Sequence, residues 1–255
     1  MPENNKNFLI NTKTKDHYET HLAEYYSWIY GGADQKIEEN NCFLKKHLIK
    51  PLSSKVAIDL GCGSGFQSIP LAKAGFNVVA VDFSNKLIDE LKKSNLDLNI
   101  DTIEADILEF NVYKGKNPEL IVCMGDTLTH MPDLDSASNL ISNSYKELEK
   151  NGKLILSFRD LTFELQGKDR FIPVRSDENT IFTCFLEYQS ESVNVYDIVH
   201  ARRQGKWEQK ISSYKKIKIS QDKIKRIITD TGFALDFFEV NKGLVTLIAQ
   251  KQGFA

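Results

Sequence analysis

Ala57-Ile-Asp-Leu-Gly-Cys-Gly-Ser-Gly65 is the stretch on which the fold turns. Lys55 to Leu60 is a short apolar run, and glycines at positions 61, 63 and 65 follow at once. Glycine tolerates positive φ and adds no side chain, so a strand ending here can bend tightly and bring bare backbone close to a ligand. The pattern predicts a helix from this bend to about Ala74, closed by Gly75. The start of such a helix presents unpaired N–H groups. A second buried strand is expected over Asn77 to Val81, stopping at Asp82, 17 residues after Gly65.

The rhythm continues downstream. Ser84 is placed to cap a helix running to about Lys93. Ile100 to Glu104 and Leu120 to Met124 read as further strands. Ser138 to Leu148 is amphipathic, ended by Asn151-Gly152, and Lys153 to Phe158 is another strand. Strands alternating with helices imply right-handed βαβ units and a parallel sheet. Beyond Leu161 the runs Thr180 to Tyr188, Ser192 to Ala201 and Trp207 to Ile217 predict an antiparallel meander. Ser220 then caps a last helix to about Thr231, stopped by Gly232, and Phe233 to Val240 pairs with Leu244 to Lys251 as a hairpin. Upstream, residues 1 to about 14 read as a flexible tail, and His17 to Leu48 is helical in pattern, interrupted at Gly31-Gly32, with a second helix over Ile37 to Leu48.

Four segments are therefore expected. Residues 1–50 form a tail and helical lid, 51–161 an α/β core and 162–218 an inserted antiparallel unit; 219–255 add a helix and hairpin that complete the core. The chain has 255 residues, 33 basic against 35 acidic, a net charge of −2. That balance gives no electrostatic reason to expect nucleic acid or an anionic membrane. No apolar run reaches the roughly 18 residues of a bilayer span, and the polar amino terminus lacks a secretory core. Cys42, Cys62, Cys123 and Cys184 form no close pair, which reads as reduced thiols in a cytoplasmic protein with no metal site.

A glycine bend followed by an acid on the next strand suits a nucleotide, because a carboxylate there accepts both hydroxyls of a ribose. A dinucleotide site wants G-x-G-x-x-G/A, and Phe66 does not fit it. The G-x-G-x-G form preceded by Asp59 resembles motif I of class I S-adenosylmethionine-dependent methyltransferases. That resemblance implies a Rossmann-like seven-stranded sheet with a helical lid and a meander inserted after strand 5. It implies that Asp59 lies near the methionine ammonium, Asp82 takes the ribose, with Phe83 beside it, and Asp106 and Ile107 lie against the adenine. Gly61, Cys62, Gly63, Gly65 and Phe66 would line the bend. S-adenosyl-L-methionine is then the cofactor and S-adenosyl-L-homocysteine the product.

Cys123-Met-Gly-Asp-Thr-Leu-Thr-His-Met-Pro-Asp133 is similar to the strand-4 segment of glycine N-methyltransferases. So is the first helix, except at Pro70, which should loosen its opening turns. The likeness is strong over residues 55 to 160 and loose elsewhere. It places Met124 and Gly125 by the cofactor, lets Asp126 and His130 orient cofactor or acceptor, and gives Arg159 an acceptor carboxylate to hold. It makes Tyr26 and Tyr30 part of an aromatic lid and sets Lys36 where that family has an Arg on the cofactor carboxylate. For a hydroxyl or thiol acceptor a base is needed, and His130, Asp126, Tyr26 and His200 are eligible in that order. Lys215-Lys216-Ile217-Lys218 reads as a solvated strand face.

The expected activity is methylation, nitrogen favoured, of a small soluble acceptor, with the protein a monomer or homodimer. Two rivals stand. In a metal-assisted O-methyltransferase Asp126 and Asp160 would be ligands. The other is a catalytically idle cofactor-binding protein.

Overall fold

The computed structural model describes residues 12–94 and 97–253. Most of the expected amino-terminal tail lies outside them. In chain order the elements begin with α1 (Thr12–His17), a π-helical turn (Tyr18–Leu22), a 3-10 turn (Ala23–Tyr25), α2 (Tyr26–Ile29) and α3 (Ala33–Lys46). Next come β1 (Val56–Leu60), α4 (Ser68–Lys73), β2 (Asn77–Asp82), α5 (Asn85–Ser94), β3 (Ile100–Glu104), β4 (Leu120–Cys123), α6 (Leu134–Glu147) and β5 (Lys153–Arg159). The chain then runs through β6 (Phe171–Ser176), β7 (Thr180–Tyr188), β8 (Ser192–Arg203) and β9 (Lys206–Ile217). It ends with α7 (Gln221–Thr231), β10 (Phe233–Asn241) and β11 (Leu244–Lys251).

The first sheet has seven strands in the order β10-β11-β5-β4-β1-β2-β3. Its five central and right-hand strands are parallel, and β11 runs antiparallel to β5. β1 and β4 are buried almost throughout, as strands covered on both faces must be, which explains their unbroken apolar sequence. The reversal of strand order beside β1 puts the carboxyl ends of β1 and β4 at the crevice where open α/β sheets take ligands. The second sheet is a plain meander, β6-β7-β8-β9, antiparallel throughout. It rises from the end of β5 and returns at α7, so its inner face looks over the crevice.

Several boundaries moved. α6 begins at Leu134, four residues before the expected start, because Asp133 accepts the Ser136 N–H at 2.7 Å and caps it. α3 begins at Ala33 rather than Ile37, directly after the glycine pair. The helix expected straight after the glycine bend starts only at Ser68, behind irregular turns, with Pro70 in its first turn where no N–H is required. β6 carries Pro173 and a register shift at Pro173/Arg175; such a strand survives at a sheet edge, and its alternation is too broken to read from sequence. All four cysteines are free thiols. No helix among the described residues is long and apolar enough to cross a membrane.

Candidate active site

Two cavities open at the crevice. The first, about 720 Å3 counting its part open to solvent, follows the carboxyl edge of β1, β2 and β3. Of the residues expected to bind cofactor, Gly61, Gly63, Asp82, Phe83, Asp106, Ile107 and Gly125 line it, with Tyr26 and His130. The second, about 1120 Å3 on the same measure, lies between the amino-terminal helices, the end of β5 and the inner face of the second sheet. Asp126, Arg159 and Tyr30 line it. Tyr18, Tyr26, Gly125 and His130 line both, so the cavities meet there.

Asp82 ends β2 with its carboxylate across the bend. One oxygen accepts Gly63 N–H and the other Ser84 N–H, both at 2.8 Å. A carboxylate has about four acceptor sites, so each oxygen keeps a place for a hydroxyl. Burial pushes the Asp82 pKa up to about 6 against those two hydrogen bonds. Asp106 accepts Leu108 N–H on one oxygen at 2.9 Å, and desolvation raises its pKa.

The glycines serve two ends. A Cβ on Gly61 would stand 2.4 Å from the Thr127 methyl, and one on Gly65 2.3 Å from Leu91. Both positions have positive φ and are closed by protein packing. Gly63 faces the Tyr26 ring, and the bend is open to the cavity there. Cys62 and Phe66 are buried, Phe66 stacked on Tyr26 at 5.5 Å between centroids. Met124 packs among the core residues behind the crevice. Gly65, Cys62, Phe66 and Met124 support the wall and do not line either cavity.

Asp59 is buried beneath the bend and lines neither cavity. One oxygen accepts the Ser68 hydroxyl at 2.6 Å and the other has no partner among the described residues. Burial lifts its pKa to about 7, Ser68 works against that rise, and the charge of Asp82 adds to it. An unpaired buried carboxylate oxygen and the free acceptor sites of Asp82 fit an amino-acid ammonium and a ribose, so the residues present suit S-adenosylmethionine. Lys36 departs from expectation. It sits on α3 paired with Glu39 at 2.8 Å and over the Tyr30 ring, outside both cavities.

At the junction, Asp126 occupies the left-handed region at φ 81°, just beyond Gly125 at φ 75°. It accepts the backbone N–H of Arg159 and pairs with Lys216 at 2.8 Å. Burial opposes its charge, but Lys216 and that N–H together hold its pKa below the usual carboxylate range. Lys216 is the residue that sequence reading missed. On a strand, positions two apart share a face, and Tyr214 is buried two residues before it; that alternation was the available signal. His130 stacks on Tyr214 at 5.2 Å and meets the Tyr18 hydroxyl at 3.3 Å through Nε2, while Nδ1 is buried with no partner among the described residues. Burial, reinforced by Lys216, drops its pKa to about 3, so the ring is neutral. Arg159 donates to the Lys242 carbonyl at 3.1 Å. His200, the last-ranked base, faces Gln209 on the second sheet, away from the junction. Asp160 accepts from Thr162 at 2.9 Å and Asp126 is paired with Lys216, and among the described residues no three His, Cys, Asp or Glu side chains gather where they could hold a metal ion.

Residues 57–152 match the family described as "Methyltransferase domain". A glycine/sarcosine N-methyltransferase of Aphanothece halophytica is 23% identical over 230 residues, 88% of this chain and 84% of that one. The chain is a class I S-adenosylmethionine-dependent methyltransferase. The methyltransferase also resembles a ubiquinone biosynthesis O-methyltransferase of Coxiella burnetii, 32% identical over 133 residues, 46% of this chain and 54% of that one. Its fold matches that of S-adenosylmethionine-bound CalS10, an amino pentose methyltransferase from Micromonospora echinaspora. That match has a TM-score of 0.68 at 10% identity and covers 90% of this chain and 94% of the other.

Proposed function

We propose that the enzyme transfers the methyl group to the nitrogen of a small, carboxylate-bearing molecule held in the second cavity, at the point where the two cavities meet. The shared lining by Tyr18, Tyr26, Gly125 and His130 carries this reading. When bound, the cofactor supplies an activated methyl group and a neutral sulfur as leaving group. Asp82 and Asp106 would hold its ribose and adenine, and Asp59, just beneath the bend, would set the negative charge under its ammonium. The rings of Tyr18 and Tyr26 face the sulfonium and exclude water. Gly125 leaves its backbone open beside them; the nearest atom to a Cβ there would be 3.9 Å away.

Nitrogen is favoured because the junction holds no strong base. His130 is neutral with a pKa near 3, Asp126 is paired with Lys216, and burial raises the phenols of Tyr18 and Tyr26 well above their ordinary value. A hydroxyl or thiol would need such a base; an amine need only arrive neutral. The buried His130 Nδ1 then holds and orients it. Arg159 is the candidate for the acceptor's carboxylate.

Methyl incorporation from labelled cofactor into a metabolite extract tests this. Label on an amine is expected, and label only on oxygen or sulfur removes the nitrogen reading. With the acceptor found, Arg159→Ala should raise its KM far more than that of the cofactor; equal effects would remove Arg159 from acceptor binding.

A further inference from the structure

The lining of the second cavity is divided by polarity, and the division describes the molecule that fits. Asp126, His130 and Arg159 stand at the edge of the first sheet, joined by Lys216 from β9. Opposite them the walls are mostly apolar: Leu22 and Ile29 from the amino-terminal helices, and Ile172, Phe182, Leu186 and Val195 from the second sheet, with Cys184 and Asp197 set among them. The inward positions of β7 and β8 fall two apart and pair across the strands, Phe182 with Val199, Cys184 with Asp197 and Leu186 with Val195, so two apolar pairs flank one polar pair whose carboxylate already bonds Cys184 and His17. An amino acid as small as glycine has no apolar surface to place against the apolar pairs, and apolar walls repay only a ligand that removes apolar area from water.

Lys216 adds a second constraint. Its side chain is 12% exposed. An ammonium has three donors, and among the described residues Asp126 is its one hydrogen-bond partner. Donors left unmade in a mostly buried site are costly, and a ligand oxygen at the cavity's polar edge would take one.

We propose that the acceptor is amphipathic. Its body is apolar, with several carbons clasped between lid and second sheet, and its polar end carries the accepting atom together with an anionic oxygen group read by Lys216. This rests on the second cavity being the acceptor site.

Calorimetry on the full chain saturated with S-adenosylhomocysteine tests it, with 4-phenylbutyrate, 4-phenylbutyramide and glycine as probes. 4-Phenylbutyrate should bind about tenfold tighter than the amide and than glycine, the advantage of one charge-assisted hydrogen bond or of the buried ring. The double variant Lys216→Met with Asp126→Asn should cut the carboxylate's advantage over the amide and leave only the share that Arg159 contributes. Ile172→Asn, at a half-buried edge position tolerant of change, and Leu186→Asn should each weaken both phenyl probes, with S-adenosylhomocysteine binding as the control for folding. Glycine binding as tightly as 4-phenylbutyrate, no probe binding at all, a carboxylate preference intact in the double variant, or phenyl affinity unchanged in Ile172→Asn overturns the proposal. The extract experiment decides the accepting atom separately, so label on oxygen would remove the nitrogen reading and leave this one standing.

Discussion

Asp59 and Asp82 show how far single residues carry the argument. Both were legible from position alone, one before the glycines and one ending the next strand. What sequence could not give is their energetic state, because desolvation depends on everything packed around them. Asp82→Ala should weaken S-adenosylhomocysteine binding by about 1–3 kcal/mol, since ribose hydroxyls lose their acceptor; unchanged affinity by calorimetry would count against the ribose assignment. Asp59 has a folded pKa near 7 against an ordinary value of 3.8. A raised pKa means that the folded state holds the proton more tightly, so this contribution to stability is complete below about pH 4 and is lost as pH rises through 7. His130, depressed to about 3, acts in the opposite direction below its ordinary value of 6.5. The comparison that isolates Asp59 is therefore Asp59→Asn against wild type, both without cofactor. The variant should gain melting temperature relative to wild type between pH 4 and 7, and a constant difference would show that the carboxyl is not desolvated. Lys216 stayed hidden because a run of three lysines within four positions reads as surface, and only alternation with Tyr214 turns Lys216, and Lys218 after it, inward.

Elements were read best where local and tertiary preferences agree. α7 has its serine cap and its glycine stop where sequence put them: Ser220 accepts the Lys223 N–H at 3.2 Å, and Gly232 is left-handed at φ 100°. Ser220→Ala should cost about 1 kcal/mol in urea denaturation with an unchanged slope. A loss below a few tenths would mean that the packing of Ile224, Ile227 and Ile228 alone sets the helix start. Reading failed where context overrides periodicity. β6 is broken by Pro173, and the segment from Tyr18 to Tyr25 is wound first as a π turn and then as a 3-10 turn. Helical spacing there was correctly seen, but not the change in winding, which places Tyr18 over the first cavity and Tyr25 against Phe182.

Across the whole molecule, the lid is fastened to the second sheet by a buried pair. His17 Nε2 meets Asp197 at 3.0 Å and its Nδ1 meets the Ser212 hydroxyl at 2.8 Å, while Cys184 donates to the other Asp197 oxygen. Cys184, Asp197 and Ser212 are direct cross-strand neighbours on β7, β8 and β9. Removing one partner leaves buried polar atoms of Asp197 and Ser212 without their hydrogen bonds, at about 1–3 kcal/mol. His17→Ala should therefore speed limited proteolysis between Thr12 and Tyr30, and saturating S-adenosylhomocysteine should slow it again. Cleavage at the wild-type rate would mean that the aromatic contacts alone hold the segment.

The second sheet leaves the core after Leu161 and rejoins it at α7, so only two chain crossings tie it to the donor-binding half. Yet Lys216 reaches back to Asp126 and Asp197 to His17. With the acceptor in the second cavity, as proposed, exchanging residues 162–218 between relatives would carry a new recipient only where those two partners travel with the segment.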